Sequence, residues 1–209
     1  MTKLDRETVI RAALDLLNEV GVDGLTTRRL AERLKVQQPA FYWHFRNKRA
    51  LLDALAEAML VENHTHSLPE DGEDWRLFLK MNAHSFRKAL LAYRDGARIH
   101  AGTRPTGPQF GIAETQIRFL CEAGFRPKDA IRALVAISHY TTGAVLEQQT
   151  ALADAQARRE TAMPPAAQPS IFLLKAFSEF ENEGADLAFD YGLNALVAGL
   201  ETIRTAATA

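Results

Sequence analysis

The chain has 209 residues, 47% of them hydrophobic and 24% charged, with a net charge of −1 and a single cysteine, Cys121. That length fits one large or two small domains around a substantial core, and that mix is typical of a soluble globular protein. An internal disulfide is excluded, no apolar run approaches the ~18 residues of a membrane span, and MTKLDRETVI lacks a signal peptide's apolar region, so a cytoplasmic protein is expected.

In chain order the pattern is helical throughout. Residues 7–20 place Val9, Ala13, Leu16, Leu17 and Val20 on one face, and Gly21 stops the helix. Thr26 or Thr27 caps a short helix with Leu30 and Leu34, Val36 anchors a turn, and Pro39 suits the first turn of a following helix. Asn47 caps a long helix running to about His64. After a break at residues 66–73, a helix over 75–93 turns Phe78, Leu79, Phe86, Ala89 and Leu90 inward. A short segment ends in the breaker cluster TRPTGP, and helices over 109–123 and 127–150 follow. Residues 151–169 are Ala-, Gln- and Pro-rich and read as a loop, before helices near 170–181 and 185–205. The fold class is therefore all-α: a helix-turn-helix unit over 1–48 and a larger helical unit over 49–209, joined by the helix at 49–64.

Net charge conceals an asymmetry. Residues 1–49 hold ten Lys or Arg against six Asp or Glu, and the remainder holds fifteen against twenty. Between Thr26 and Arg49, seven basic residues face only Glu32. A charge run is often no more than a solvated helix face. Here it coincides with a helix pair whose second member carries Gln38, Pro39, Tyr42, Trp43 and His44, and the combination points to nucleic acid. Trp43 reads as packing rather than readout.

Two apolar stripes exceed what a small monomer needs: Ile131, Leu134, Val135, Ser138, Thr142, Val145 and Leu146, and then Phe189, Leu193, Leu196, Val197, Leu200 and Ile203. Core packing explains either one alone. A helix-turn-helix that reads a palindrome needs two copies with reading helices ~34–36 Å apart, so these stripes, over 127–150 and 185–205, are the expected homodimer interface. Asn82 lies between Phe78 and Phe86 on an inward stripe, and a buried amide needs a partner, whether a side chain or a ligand. Gln116, His64 and His100 are weaker signals individually.

Several segments resemble the tetracycline repressors: VQQPAFYWHFRNKRALLDALAEAML, ENHTH, LLAYRDGARIHAGTRP and QIRFLCEAGF. The likeness covers most of the chain and thins after about residue 151. It implies a homodimer on a palindromic operator, released by a magnesium–tetracycline chelate so that a resistance (efflux) gene is expressed. By the same resemblance, Arg28, Gln38, Pro39 and Tyr42 face bases, while Thr27, His44 and Lys48 mostly meet phosphate. His64, Asn82 and Gln116 bond the drug's polar edge, Phe86 lines the pocket, and Arg104 and Pro105 belong to a moving loop. His100 is the direct ligand to Mg²⁺, with Thr103 and Glu147 holding its waters. A hard ion that keeps several waters suits so sparse a protein set. Phe41 and Lys35 depart from the family pattern, and Lys35 is strained if its turn requires positive φ.

A zinc site built from His64, His66, His100 and Glu147 is disfavoured, since no HExxH occurs and i, i+2 histidines diverge on a helix. His84 and His139 read as structural or surface residues. An enzyme would need a nucleophile–base pair, a Gly-rich cofactor loop or a full metal site, and the sequence offers none. The remaining alternative is a repressor of the same fold that answers a different small ligand.

Overall fold

A computed structural model describes residues 5–37, 42–103, 107–160 and 169–206. Among them are eight helices and no strand: α1 (Arg6–Gly24), α2 (Thr27–Leu34), α3 (Lys48–Asn63), α4 (Trp75–Leu91), α5 (Gly96–His100), α6 (Gly107–Glu122), α7 (Pro127–Glu160) and α8 (Ile171–Ala206).

The helix starts follow from capping. Side-chain oxygens of Asp5, Thr26, Asn47 and Asp74 accept from the backbone N–H groups of Thr8, Arg29, Ala50 and Arg76 at 2.7–3.2 Å. Each satisfies a donor that the first helical turn leaves orphaned. Gly21 breaks α1 as expected, with φ 70° and ψ 176° inside the helix. Gly184 does the same in α8 with φ 78° and ψ 168°, separating the two closing helices read from the sequence. Lys35 does adopt the left-handed conformation, φ 54°, closing α2 with its N–H on the carbonyls of Ala31 and Glu32.

One core holds the first three helices together: Val9, Leu16, Leu17 and Leu25 pack with Leu30, Phe45, Leu55 and Met59. Ile99 of α5 is buried in the same cluster. A second core joins Trp75 and Phe78 of α4 to Ile137 of α7 and to Phe189, Leu193 and Val197 of α8. Helix α4 lies centrally, touching α3, α5, α7 and α8.

Three expectations are corrected. Residues 151–160 continue α7 rather than forming a loop, because Ala, Gln, Arg and Glu are good helix formers and no proline intervenes there; 161–168 lie outside the described residues. The stripe of Phe189, Leu193, Val197 and Leu200 is buried in this chain's own core, and only its last member, Ile203, is exposed. The closing helix is apolar on more than one side, and Leu187 and Tyr191 face outward instead. Trp43 is not packed but 88% exposed. Gln38, Pro39 and Phe41, on which the expected second helix of the helix-turn-helix falls, lie outside the described residues, and residues 42–44 form a turn.

Candidate functional site

Helices α3, α5, α6 and α7 enclose a cavity of about 540 Å³, a volume in the range of small-molecule sites. His64, His100, Thr103 and Gln116 all line it, although they come from three separate stretches of sequence. His64 caps the end of α3 and His100 ends α5, so two helix termini deliver the two imidazoles.

His64 Nδ1 lies 3.0 Å from Ser85 Oγ, and its Nε2 faces the amide nitrogen of Asn82 at 3.4 Å. That amide is oriented by donating to the His66 carbonyl at 3.0 Å, so the neutral imidazole carries its proton on Nδ1 and gives it to Ser85. Burial, reinforced by His66 and His100, lowers the His64 pKa to about 4. Phe86 is buried behind both imidazoles, edge-on to His100 at 4.9 Å and tilted against His64 at 5.7 Å. Asn82 and Phe86 thus support the cavity wall rather than line it. Gln116 donates from Nε2 to the Ser67 carbonyl at 2.6 Å.

His100 meets the requirements of a metal ligand. Burial pushes its pKa down, so the ring is neutral, and its buried Nδ1 has no hydrogen-bond partner among the described residues. Thr103 donates its hydroxyl and its N–H to the His100 carbonyl, at 2.8 and 3.0 Å, which fixes the chain just beyond α5. No group of three or more His, Cys, Asp or Glu among the described residues is placed to hold a metal alone. A hard ion held through His100 would take oxygens from a chelating ligand and from water.

The zinc set is not assembled. His66 Nε2 sits 3.0 and 3.2 Å from the Glu73 carboxylate. Glu147 is exposed and lines a different cavity with Arg87 and Tyr140, away from His100. Arg104 and Pro105 lie outside the described residues. His139, read as structural or surface, proves to line the main cavity with Ser138 of α7 and with Asp53 and Glu57 of α3. The sequence flagged none of these four for the cavity, since an acidic i, i+4 pair on a helix is an ordinary surface feature.

A second arrangement missed in the sequence ties this cavity to α1. Asp95, itself left-handed at φ 58°, accepts from the Val22 N–H at 2.8 Å, immediately after the Gly21 break. Arg94 donates from its N–H to Asn18 Oδ1 and from Nη1 to the Glu19 carbonyl, at 2.9 and 3.0 Å. Arg98 makes a two-pronged pair with Asp23 at 2.9 and 3.0 Å. With Ile99 in the first core and His100 at the cavity, α5 and the two residues before it connect the two.

On the basic unit, Arg28 is exposed and, among the described residues, engaged in an i, i+4 pair with Glu32 at 2.9 Å, which costs little to exchange for phosphate or base. Lys48 is exposed near the Val22 carbonyl at 3.4 Å, and Tyr42 is exposed. Thr27 and His44 are half-buried.

The profile of bacterial regulatory proteins of the tetR family matches residues 9–55, and that of the tetracyclin repressor-like C-terminal domain matches 68–204. The chain belongs to the tetracycline repressor family. It is 66% identical to the class G tetracycline repressor protein of Vibrio anguillarum, over 100% of this chain and 99% of that one. The crystal structure of TetR from Acinetobacter baumannii AYE superposes with a TM-score of 0.82 at 64% identity, over 97% of this chain and 99% of that one. A class A TetR solved in complex with 5a,6-anhydrotetracycline and magnesium gives a TM-score of 0.76 at 58% identity, over 95% and 99% of the two chains. Among the described residues no helix is long and apolar enough to cross a membrane.

Proposed function

We propose that this chain is a cytoplasmic transcriptional repressor, not an enzyme, that holds a palindromic operator as a homodimer and releases it on binding a magnesium–tetracycline chelate, which permits expression of a resistance (efflux) gene. The observation that carries the reading is His100: a neutral imidazole with an unpaired buried nitrogen, on a drug-sized cavity, at the end of the helix anchored to α1.

Residues 1–48 form the reading head and residues 49–209 the ligand and dimer unit, with α3 shared. Arg28, Gln38, Pro39 and Tyr42 are the base-reading set, and Thr27, His44 and Lys48 the phosphate set. The dimer forms through 127–150 and 185–205, where Ile131, Val135, Leu146, Leu187, Tyr191 and Ile203 leave apolar surface exposed. Four helices, two from each copy, then bury it.

When bound, magnesium supplies the charge that fixes the drug's keto-enolate oxygens. His100 would offer a ring nitrogen to the ion, and the Thr103 hydroxyl would hold one of its waters. His64 would present its ring, and Gln116 its amide, to the drug's polar edge; Asn82, at His64 Nε2, and Phe86 hold His64 in place. Arg104 and Pro105 move with the segment after His100. Glu147 lines another cavity of its own chain, so its water-holding role is met from the second copy. A pull on His100 displaces α5, and the Asp95–Val22 and Arg98–Asp23 contacts carry that displacement into α1 and the head. Driving the dimer from 1:99 to 99:1 requires ~5.5 kcal/mol of differential affinity, and operator must weaken drug binding by the same factor.

The test is a fluorescence titration of tetracycline with the full chain in Mg²⁺ and in EDTA, repeated with His100→Ala. Tight magnesium-dependent binding that His100→Ala weakens, followed by operator release, is expected. No binding in either buffer removes tetracycline as effector and puts a different small ligand in its place.

A further inference from the structure

The cavity wall contributed by α3 carries two carboxylates one helical turn apart, Asp53 and Glu57, neither of which belongs to the ligand set described above. Asp53 is neutralised by Arg49, whose Nε lies 2.9 Å from Oδ1. Glu57 is half-buried on the cavity wall and has no ion pair or hydrogen bond among the described residues. No Lys or Arg lines the cavity among those residues, and burial keeps the rings of His64 and His100 neutral. Among the described residues, Glu57 is therefore the carboxylate on the α3 wall with no Lys or Arg against it.

Stability does not explain the residue. A half-buried carboxylate without a partner loses hydration and gains nothing in return, whereas glutamine fills the same space at lower cost. What the position supplies is an anionic contact open to whatever enters the cavity.

We propose that Glu57 is a specificity-determining residue, selecting chelating ligands that carry a protonated amine on the portion facing α3. This rests on the effector reading above and extends it to ligand choice. Because the wall is only half-buried, screening limits the preference to about tenfold between a cationic ligand and its neutral isostere.

The test uses the full chain in Mg²⁺ with three ligands: tetracycline, a tetracycline bearing an aminomethyl group on the ring remote from the chelating edge, and the hydroxymethyl counterpart of the same size. The readout is the ratio of aminomethyl to hydroxymethyl affinity, for wild type and Glu57→Gln. Wild type is expected to prefer the amine about tenfold, with the preference shrinking as salt is raised, and Glu57→Gln to bring the ratio within about twofold of one. No preference in wild type, or an unchanged ratio in the variant, overturns the assignment. Equal weakening of all three ligands also overturns it, since that makes Glu57 a packing residue. Tetracycline binding without amine preference sinks this inference alone; failure of tetracycline itself to bind wild type sinks the effector reading and this with it.

Discussion

Replacing Gly21 with alanine tests the junction between the head and α5. The glycine sits at φ 70° and ψ 176°, a region essentially closed to L-residues, where a side chain costs ~1–3 kcal/mol. A Cβ there would also lie 2.8 Å from Asp95 Oδ2 and 3.1 Å from Arg94 Nε. Asp95 must then withdraw from the Val22 N–H, a charge-assisted bond whose loss costs a further ~1–2 kcal/mol. Gly21→Ala is therefore expected to lower unfolding free energy by about 2–5 kcal/mol, a large fraction of a typical domain's stability. Urea unfolding measures the total. A cycle with Asp95→Ala separates the parts, because the backbone strain persists when Asp95 is absent while the clash does not. The two losses should be less than additive by about 1 kcal/mol or more. A Gly21→Ala chain within about 0.5 kcal/mol of wild type would refute the strain argument, and strict additivity would refute the Asp95 contact.

Lys35→Gly should raise stability by about 1 kcal/mol, read as a higher urea midpoint, since φ 54° costs glycine little; a lower midpoint would contradict the strain assigned there. His64 has a pKa of about 4 when folded against the ordinary 6.5 of a free imidazole, so the unfolded chain takes up the proton first. Its stabilisation is complete above pH 6.5 and lost as pH falls from there through about 4, amounting to ~3 kcal/mol. Without drug or metal, His64→Gln should flatten that part of the stability–pH curve, and an unchanged slope would deny His64 the role. Phe86→Ala removes the ring between the two imidazoles and should cost ~3–5 kcal/mol. It should also weaken drug binding, both followed in one thermal-shift series with and without ligand; an unaltered ligand-induced shift would show that the imidazoles need no such backing.

Much of this protein was legible in its residues. The caps at Asn47 and Thr26, the break at Gly21 and the inward stripe of α4 are local rules, and each worked because local hydrogen bonding and helical spacing were sufficient. His64, His100, Thr103 and Gln116 could be named from their likeness to a family, yet their spacing along the chain gave no sign that one cavity gathers them. Which face of an apolar helix turns inward was decided only by packing. Leu193 and Val197 are buried while Leu187 and Tyr191 are exposed, because α4 and α7 claim one side of α8. Likewise, Asp95 meets Val22 and Arg98 meets Asp23 across more than seventy residues. Sequence determined most of the helices, the starts set by caps and the basic head, since those depend on neighbours along the chain. The cavity, the neutral imidazoles and the anchoring of α5 to α1 depend on neighbours in space, and tertiary structure alone decided them.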